Sequence, residues 1–507
     1  MRHSFARPRL RFVPAIALCV AALVAALPGV VAAYDWPAFG GPGPFTGLNL
    51  DEAQITPGNV GQLHRLFRVS LPDTADGVPV ALAGVQTANG TRDALFLTTR
   101  NGSLVALDAH TGEQLWVAAH GPGDCKINNG SQTCYTTASP AIDPDHGFVY
   151  SYGLDGKVHK HAVADGTEAT DGGWPQIASL KPYDEKGSSA LAVAVARDGN
   201  HYLYVAHAGY PGDHGDYQGH VTTINLGTGE QKVFNTTCSD QPVHFAAKGA
   251  GPDCGMVQSA VWARQGVVYS PDTDRVYFTT GNAVWSPDKH SWGDTVIALH
   301  ADGTGANGDP LDTYTPGNYD DLDRRDADLG SAAPTILPLS AASAYPHVGV
   351  QAGKDSKLRL LNLDDFSGKG GTGHLDGDLG VINVPQGGQV LTAPATWTDG
   401  VDGAGDTWVI VANNAGIAGL RVTYDGQGKP RLQPVWQNKP GGTSPMVAGG
   451  VVFYATGSGV LALDPTTGKE LWRDSDLGGI HWESPVVVNG FVYLTDNNGK
   501  LTAWGLS

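Results

Sequence analysis

The chain has 507 residues, of which 50 are acidic and 32 basic, so its net charge is −18. Only 16% of residues are charged, whereas 69 are glycine and 32 are proline, which is too much turn chemistry for a helical bundle. The acidic balance, without a basic stripe, argues against nucleic-acid binding. A hydrophobic content of 41%, including 12 Trp and 17 Tyr, can fill a large core and excludes a disordered chain.

The first 33 residues have the pattern of a secretory signal peptide. The positive start comes from four arginines: Arg2, Arg7, Arg9 and Arg11. Residues 12–27 are uncharged and mostly apolar, and Val31 and Ala33 present small side chains for cleavage before Tyr34. We therefore expect residues 1–33 to be a signal peptide and residues 34–507 to be one exported domain, periplasmic or secreted, of net charge −22. An uncleaved membrane anchor is the alternative, because the apolar run is nearly long enough to span a bilayer.

The cysteines fit an exported protein. Cys19 leaves with the signal peptide and lacks the small preceding residue that a lipoprotein signal requires. The other four form two local pairs, Cys125 with Cys134 and Cys238 with Cys254. An even number of cysteines in an exported chain predicts two disulfides. Three pairings are possible and proximity favours the local one; buried free thiols are the alternative.

One sequence pattern recurs along the chain. It consists of period-2 strands separated by Gly turns and ends in Asp-x-x-Thr-Gly followed by an aromatic residue. The clearest copies are Leu95–Trp116 and Val451–Trp472. Six weaker copies are found elsewhere: Ser139–Gly166, Tyr202–Phe234, Val276–Gly303, Val348–Leu363, Thr407–Val422 and Ser484–Trp504. Each copy predicts a small antiparallel sheet, which must stack on neighbours to bury both faces.

Eight such sheets predict an all-β fold, an eight-bladed β-propeller of four-stranded blades. The last copy ends at Ser507 without an outermost strand, and the strand-like segment Leu63–Leu71 precedes the first full copy. We expect this segment to pair with the last blade and close the ring, which removes an exposed edge. In the Thr-Gly-x-x-x-Trp motif, we expect the glycine to form a tight turn and the aromatic side chain to pack between blades.

The repeat Leu-Asp-x-x-Thr-Gly-x-x-Leu-Trp resembles that of the pyrroloquinoline quinone (PQQ) propeller superfamily. This superfamily includes quinoprotein alcohol dehydrogenases and the outer-membrane assembly propeller. The segment Trp36-Pro-Ala-Phe-Gly, followed by Gln54-Ile-Thr-Pro-Gly-Asn-Val-Gly-Gln-Leu, is similar to the opening of quinoprotein dehydrogenases. The resemblance covers essentially the whole mature chain. It is specific for the fold and suggestive for the activity, because propellers host unrelated functions.

The resemblance implies a site for PQQ and Ca²⁺. The order Trp262, then Thr280-Gly-Asn282, is similar to the dehydrogenase arrangement in which the Trp stacks beneath PQQ and the Asn oxygen binds calcium. This chain has two extra residues between them. The alternative is a core tryptophan and a turn asparagine.

The segment from Tyr314 to Pro334 resembles the one that carries the catalytic Asp of the family. Counting back from Pro334 places Asp328 at the position of the base, which also binds the metal, although Ala327 replaces the family's preceding Trp. Four nearby acids are alternatives as structural calcium ligands or solvated charges: Asp320, Asp321, Asp323 and Asp326. Downstream, Lys354 is similar to the Lys or Arg that contacts PQQ, and a surface lysine in a turn is the alternative.

Two features depart from the family pattern. The metal-binding Glu before the third Thr-Gly is missing, so Asp213 or Asp216 would have to replace it. A cluster in the same region is an alternative transition-metal site: His207, Asp213, His214, Asp216 and His220. The adjacent cysteines of the alcohol dehydrogenases are also absent, and a Cys125–Cys134 disulfide could instead form a rim loop.

These observations leave two hypotheses. The first is an exported PQQ-dependent dehydrogenase that oxidises an alcohol or sugar-type hydroxyl with Ca²⁺ assistance. Its partners would be a small-molecule substrate and an electron acceptor, and we expect a monomer that is not inserted in the membrane. The second is a non-catalytic propeller that acts as a scaffold, assembly factor or binding module.

Overall fold

Eight small antiparallel sheets follow one another along residues 34–507. The computed structural model describes residue 1 and residues 33–121, 125–128, 132–400, 405–457 and 459–506. The predicted signal peptide lies almost entirely outside these residues, so its cleavage stays a prediction. No helix in the described part of the chain is long and apolar enough to cross a membrane.

The first four blades use consecutive chain segments, with strands given in pairing order. Blade 1 consists of Val80–Thr87, Gly90–Thr98, Ser103–Asp108 and Gln114–Ala119. Blade 2 consists of Ala141–Ile142, Phe148–Tyr152, Lys157–Ala162 and Gln176–Ile177. Blade 3 has a first strand in two pieces and consists of Glu185–Gly187 and Ala192–Val195, His201–Gly209, His220–Asn225 and Gln231–Asn235. Blade 4 consists of Val268–Ser270, Arg275–Thr279, Val296–His300 and Asp312–Tyr314.

The remaining blades complete the ring. Blade 5 consists of Thr335–Ile336, Val348–Ala352, Lys357–Asn362 and Gly380–Asn383. Blade 6 consists of Ala395–Thr398, Thr407–Asn413, Gly416–Tyr424 and Pro430–Asn438. Blade 7 consists of Met446–Ala448, Val451–Thr456, Gly459–Leu463 and Glu470–Asp474, with Leu48–Asn49 added in parallel. Blade 8 consists of Val486–Val488, Phe491–Asp496, Lys500–Gly505 and His64–Ser70.

Few other elements are present in the described residues. A two-stranded hairpin joins Trp285–Ser286 to Ser291–Trp292. The helices are all short: Val60–Gln62 and Pro287–Lys289 are 3₁₀-helices and Tyr319–Arg324 is an α-helix. The predicted eight-bladed propeller is therefore confirmed.

The closing strand is also confirmed. His64–Ser70 pairs antiparallel with Lys500–Gly505 and supplies the outermost strand of blade 8. Before this closing strand in the chain, residues 34–49 run along the first strands of several blades. Trp36 bridges to Ala81 of blade 1, and the amide of Val447 in blade 7 donates to the carbonyl of Gly47. First strands of neighbouring blades contact one another, so they surround the axis.

The glycine and the tryptophan of the repeat motif meet at the junctions between blades 1 and 2 and between blades 6 and 7. Gly166 has a φ of +75°, and a Cβ there would lie 2.7 Å from the Trp116 ring of blade 1. The Trp116 indole N–H donates in turn to the carbonyl of Val163 in blade 2. Trp436 and Gly468 form the same contact between blades 6 and 7. The glycine and the aromatic residue of the motif thus have the predicted roles, because only glycine permits both the left-handed turn and the close approach of the ring.

Both local disulfides are present. Cys125 is bonded to Cys134 and Cys238 to Cys254, with Cα–Cα distances of 5.4 and 6.2 Å. The first bridge lies between blades 1 and 2 and the second between blades 3 and 4. Each closes a loop at a junction between blades.

Candidate functional site

Chain connections at one end of the sheets carry the predicted site residues. Trp262 lies between blades 3 and 4, and Asp328 lies between blades 4 and 5. Asn282 and Lys354 follow the second strands of blades 4 and 5, respectively. In an antiparallel blade, the start of the first strand and the end of the second lie at the same edge. This topology brings residues that are up to 92 positions apart to one place.

Asp328 is at the centre of this group. Its side chain is 3% exposed and is held from two sides. The indole N–H of Trp262 donates to Oδ2 with an Nε1–Oδ2 distance of 3.0 Å, and Lys354 Nζ lies 2.9 Å from Oδ1. Burial raises the pKa of Asp328, while Lys354 and Trp262 act in the opposite direction. The carboxylate is therefore oriented by hydrogen bonding and by a single charge.

Lys354 and Asp326 connect Asp328 to Asn282. The Lys354 ammonium also contacts Asp326 Oδ1 at 2.5 Å and lies 5.1 Å from the centre of the Trp262 ring. Asn282 Nδ2 donates to the same Asp326 oxygen at 3.0 Å. Although burial acts against it, the pKa of Lys354 is raised by the carboxylates of Asp328 and Asp326. Trp262, Asn282, Asp328 and Lys354 thus form one contiguous cluster, as the resemblance implies.

Glycines create the space for these contacts. A Cβ at Gly281 would lie 2.6 Å from Asp328 Oδ2 and 3.3 Å from Trp262 Nε1. A Cβ at Gly330 would lie 2.6 Å from the backbone nitrogen of Gly281. Two backbone segments therefore approach each other closely beside the carboxylate, which leaves no room for larger residues.

Asp294 is a further candidate residue, which sequence reasoning missed. It is fully buried, and its Oδ1 accepts the backbone N–H of Leu329, next to Asp328, at 3.1 Å. Burial, followed by the charge of Asp328, raises the pKa of Asp294 to about 8. Its only sequence signal is an acid between Gly293 and the strand Val296–His300, which resembles an ordinary turn.

Two buried oxygens beside Asp328 have no hydrogen-bond partner among the described residues: Asn282 Oδ1 and Asp294 Oδ2. An unpaired buried oxygen is costly, and a hard cation bound by carboxylate and amide oxygens relieves that cost. The donor set therefore fits Ca²⁺ or a similar oxygen-seeking ion.

Asp213 and Asp216 have protein partners of their own. Asp213 is exposed and accepts the hydroxyl of Tyr217 at 2.7 Å. Asp216 accepts the backbone N–H of Lys248 at 2.9 Å. Tyr217 packs with Trp262 in a small apolar cluster, so Asp213 is connected indirectly to the site. A metal-binding role for either aspartate stays a prediction.

The alternative transition-metal cluster of this region is not assembled in the described residues. The rings of His207 and His220 stack at 4.4 Å, but both nitrogens of His220 face backbone carbonyls, those of Gln218 and Ala178. Asp213 and His214 are exposed. The ring nitrogens of His220 are therefore engaged with the backbone and do not converge with the carboxylates.

A second group of buried charged side chains includes Arg264, two residues after Trp262 in the chain. Arg264 is 5% exposed and donates to the backbone carbonyls of Asp76 and Thr137. Lys186 is near, and burial, reinforced by Arg264, lowers its pKa to about 7. Burial raises the pKa of Glu483 to about 7. Sequence reasoning missed this group, because its members come from the connections before blades 1, 4 and 8 and from the first strand of blade 3.

Comparison with known proteins agrees with this architecture. A family model for the β-propeller domain of glucose, ethanol and alcohol dehydrogenases, of the PQQ type, matches residues 36–158. A model for the outer membrane protein assembly factor BamB matches residues 375–507. No curated protein sequence matches the chain.

Solved structures share the fold at low sequence identity. A europium-containing methanol dehydrogenase is 15% identical, with a TM-score of 0.65 over 93% of this chain and 98% of that one. The quinohemoprotein alcohol dehydrogenase of Comamonas testosteroni is 17% identical, with a TM-score of 0.61 over 93% and 80%. BamB of Moraxella catarrhalis is 15% identical, with a TM-score of 0.50 over 87% and 97%.

The chain is therefore an eight-bladed β-propeller, two parts of which match family models of PQQ-type propellers. Its fold is related both to that of quinoprotein dehydrogenases and to that of BamB. Because the identities are low, the likeness to solved structures concerns the fold, and the activity must be argued from the site.

Proposed function

We propose that this protein is an exported PQQ-dependent dehydrogenase that oxidises an alcohol or sugar-type hydroxyl with the help of Ca²⁺ or a related cation. The observation that carries the proposal is the convergence of Trp262, Asn282, Asp328 and Lys354. These four residues were selected from the sequence through the family resemblance, and they come from four different chain connections. Four residues without a common role would have no reason to form one cluster of contacting side chains.

Asn282, Asp294 and Asp328 would hold the cation. Asn282 Oδ1 and Asp294 Oδ2 are buried and have no hydrogen-bond partner among the described residues, and Asp294 accepts the N–H of Leu329, next to Asp328. Asp294 would take the place of the missing family Glu. Arg264, two residues after Trp262 in the chain, would receive a carboxylate of the quinone.

PQQ, when bound with its cation, supplies an electrophilic carbonyl that accepts hydride from the alcohol carbon. Asp328 would remove the hydroxyl proton, because its carboxylate is oriented by Trp262 and Lys354. Lys354 opposes the rise in the pKa of Asp328 that burial causes. Trp262 would provide the flat apolar surface on which the quinone rests.

The first experiment titrates metal-free protein with PQQ, in the presence of Ca²⁺ or of Eu³⁺. The Eu³⁺ arm follows from the europium-containing relative, and its luminescence reports binding without turnover. We expect the protein to bind the quinone, which is measured by its absorbance. We also expect dye reduction to start when a primary alcohol is added. Neither bound quinone nor turnover with either cation would reject the proposal.

The cation ligands are tested by combining Asn282→Ala with Asp294→Asn. We expect cation affinity to fall at least about 10-fold, because two buried oxygens are removed or altered. Asp288→Asn, on the exposed hairpin of blade 4, is the matched control and should bind the cation normally. Equal Eu³⁺ luminescence titrations for both variants would contradict this assignment.

The pH profile tests the Lys354–Asp328 pair. Burial raises the pKa of Asp328, so the active carboxylate forms only as the pH rises through this raised pKa. Lys354→Met removes the charge that opposes this rise, so the acidic limb of kcat should move to higher pH. Lys357→Met, on the next strand, is the control. An unchanged or lowered limb in Lys354→Met would exclude Asp328 as the titrating base.

A non-catalytic propeller is the second candidate. The match of the assembly-factor model to residues 375–507 favours it, because those residues form the last strand of blade 5 and most of blades 6 to 8 and not the candidate site. The PQQ and cation titrations separate the two functions. A scaffold would bind neither ligand.

A further inference from the structure

A second group of metal-ligating side chains lies between blades 1 and 2, away from the candidate dehydrogenase site. It consists of His120, His159, His161 and Glu168. One nitrogen or carboxylate oxygen from each residue lies within 4.8 Å of the others. Within the described residues, no other set of three or more His, Cys, Asp or Glu side chains meets this condition.

Topology brings these residues together. His120 follows the last strand of blade 1, Gln114–Ala119. His159 and His161 lie on the third strand of blade 2, where a spacing of two places both rings on the same face of the sheet. Glu168 forms a backbone bridge with His161 on the chain that leads to the fourth strand. One ligand therefore comes from blade 1 and three come from blade 2.

The hydrogen bonds of the rings prepare two of them for metal binding. His161 Nδ1 lies 2.8 Å from the carbonyl oxygen of Gly166, which can only accept, so this nitrogen carries the proton. The other nitrogen, Nε2, then has a free lone pair and faces His120 Nε2 at 2.6 Å. Metal-binding histidines usually donate their second ring N–H to a carbonyl or carboxylate in this way.

His159 is arranged similarly. Its Nε2 lies 3.1 Å from Asp155 Oδ1 and its Nδ1 lies 2.6 Å from Glu168 Oε1. A cation next to Nδ1 would replace the proton there and would be shared with Glu168. The Nε2–H would stay on Asp155, which gives the carboxylate–histidine–metal arrangement.

The spacing suits a tetrahedral ion. Ligand distances of 2.0–2.1 Å around zinc place neighbouring ligand atoms about 3.3 Å apart. The closest pairs here are now 2.6 Å apart and the widest are within 4.8 Å, so small side-chain rotations reach that geometry. Burial lowers the pKa of His120 to about 4, reinforced by His159, so this ring is neutral near pH 7.

We propose that His120, His159, His161 and Glu168 form a binding site for a divalent transition-metal ion, zinc in particular, which ties blade 1 to blade 2. Three imidazoles and one carboxylate are donors that suit zinc, copper or nickel and do not suit calcium or magnesium. Four protein ligands make a closed coordination sphere, which is typical of structural sites. His159 and His161 are buried, and the partial exposure of His120 and Glu168 leaves a path for the ion.

The test uses the full chain, without a histidine tag, after treatment with a chelator. We expect isothermal titration to give one bound Zn²⁺ per chain and Ca²⁺ to leave this site empty. Co²⁺ should give the visible absorption of a tetrahedral complex. Zinc should also raise the melting temperature, because it binds only the folded state.

Three variants localise the site. His120→Ala and Glu168→Gln change half-buried ligands and should each weaken Zn²⁺ binding more than about 10-fold. Asp155→Asn removes the charged partner of His159 and should weaken binding about 10- to 100-fold without removing a ligand. His290→Ala, a surface histidine paired with Asp309, is the control and should bind normally.

The proposal is overturned if the wild-type chain binds no Zn²⁺, or if the His120→Ala/Glu168→Gln double variant binds it as tightly as wild type. Circular dichroism of each variant before titration separates loss of the site from loss of the fold. Neither outcome affects the PQQ proposal, since the two sites share no residues.

Discussion

Asp328→Asn is expected to reduce turnover of the PQQ-loaded protein by at least about 100-fold, because a positioned general base contributes about 10²- to 10⁴-fold. The amide keeps the size of the carboxyl group and can still accept the Trp262 N–H, so the variant should fold and retain quinone absorbance. Dye-coupled kcat and the bound-quinone spectrum, measured on the same sample, separate chemistry from binding.

Asp320→Asn is the matched control for this experiment. Asp320 belongs to the same acidic segment, but its side chain is 72% exposed and pairs with the exposed Arg324. Its turnover should equal that of wild type. Full activity in Asp328→Asn would show that Asp328 is not the general base. Equal losses of turnover in Asp328→Asn and Asp320→Asn would indicate a general effect of charge.

Arg359→Met is expected to lower the free energy of unfolding by about 3–5 kcal/mol. Arg359 and Asp355 form a bidentate ion pair in blade 5 whose side chains are 2% and 3% exposed. Removing the guanidinium leaves the Asp355 carboxylate buried without a counter-charge. The midpoint of urea denaturation measures the effect.

The double variant Arg359→Met/Asp355→Asn should recover at least half of the loss, because no buried charge is left unpaired. Arg421→Met is the surface control, since Arg421 and its partner Asp406 are 41% and 52% exposed. Its midpoint should match wild type. A control that loses as much stability as Arg359→Met would show that burial of the pair is not the cause.

Local patterns predicted the blades well because a blade is a local object. Period-2 strands and Gly turns follow one another closely within each blade, so the fold class could be predicted from the sequence. The closing strand is a distant pairing, and it was inferred because the last copy of the repeat lacks an outermost strand. Both disulfides followed from proximity in sequence. The Gly166–Trp116 contact, which recurs as Gly468–Trp436 between blades 6 and 7, gives a reason for the repetition of the motif.

The candidate site was predictable only where a motif marked it. Trp262, Asn282, Asp328 and Lys354 were selected through resemblance to a family, and the structure brings them into contact. Asp294 carries no motif, and only its burial beside Leu329 distinguishes it from a turn residue. The role of each of these residues in chemistry stays a prediction until ligand and turnover are measured.

The cluster of His120, His159, His161 and Glu168 could not be predicted from the sequence at all. The spacing of His159 and His161 on one strand was visible, but nothing in the sequence connected them to His120, which lies 39 residues earlier in another blade. By itself the sequence determined the blades and their number, because turns and strand periodicity act between near neighbours, and it favoured the local cysteine pairs among three possible pairings. Only the tertiary structure decided which side chains from different blades meet, since that depends on how the sheets are arranged around the axis.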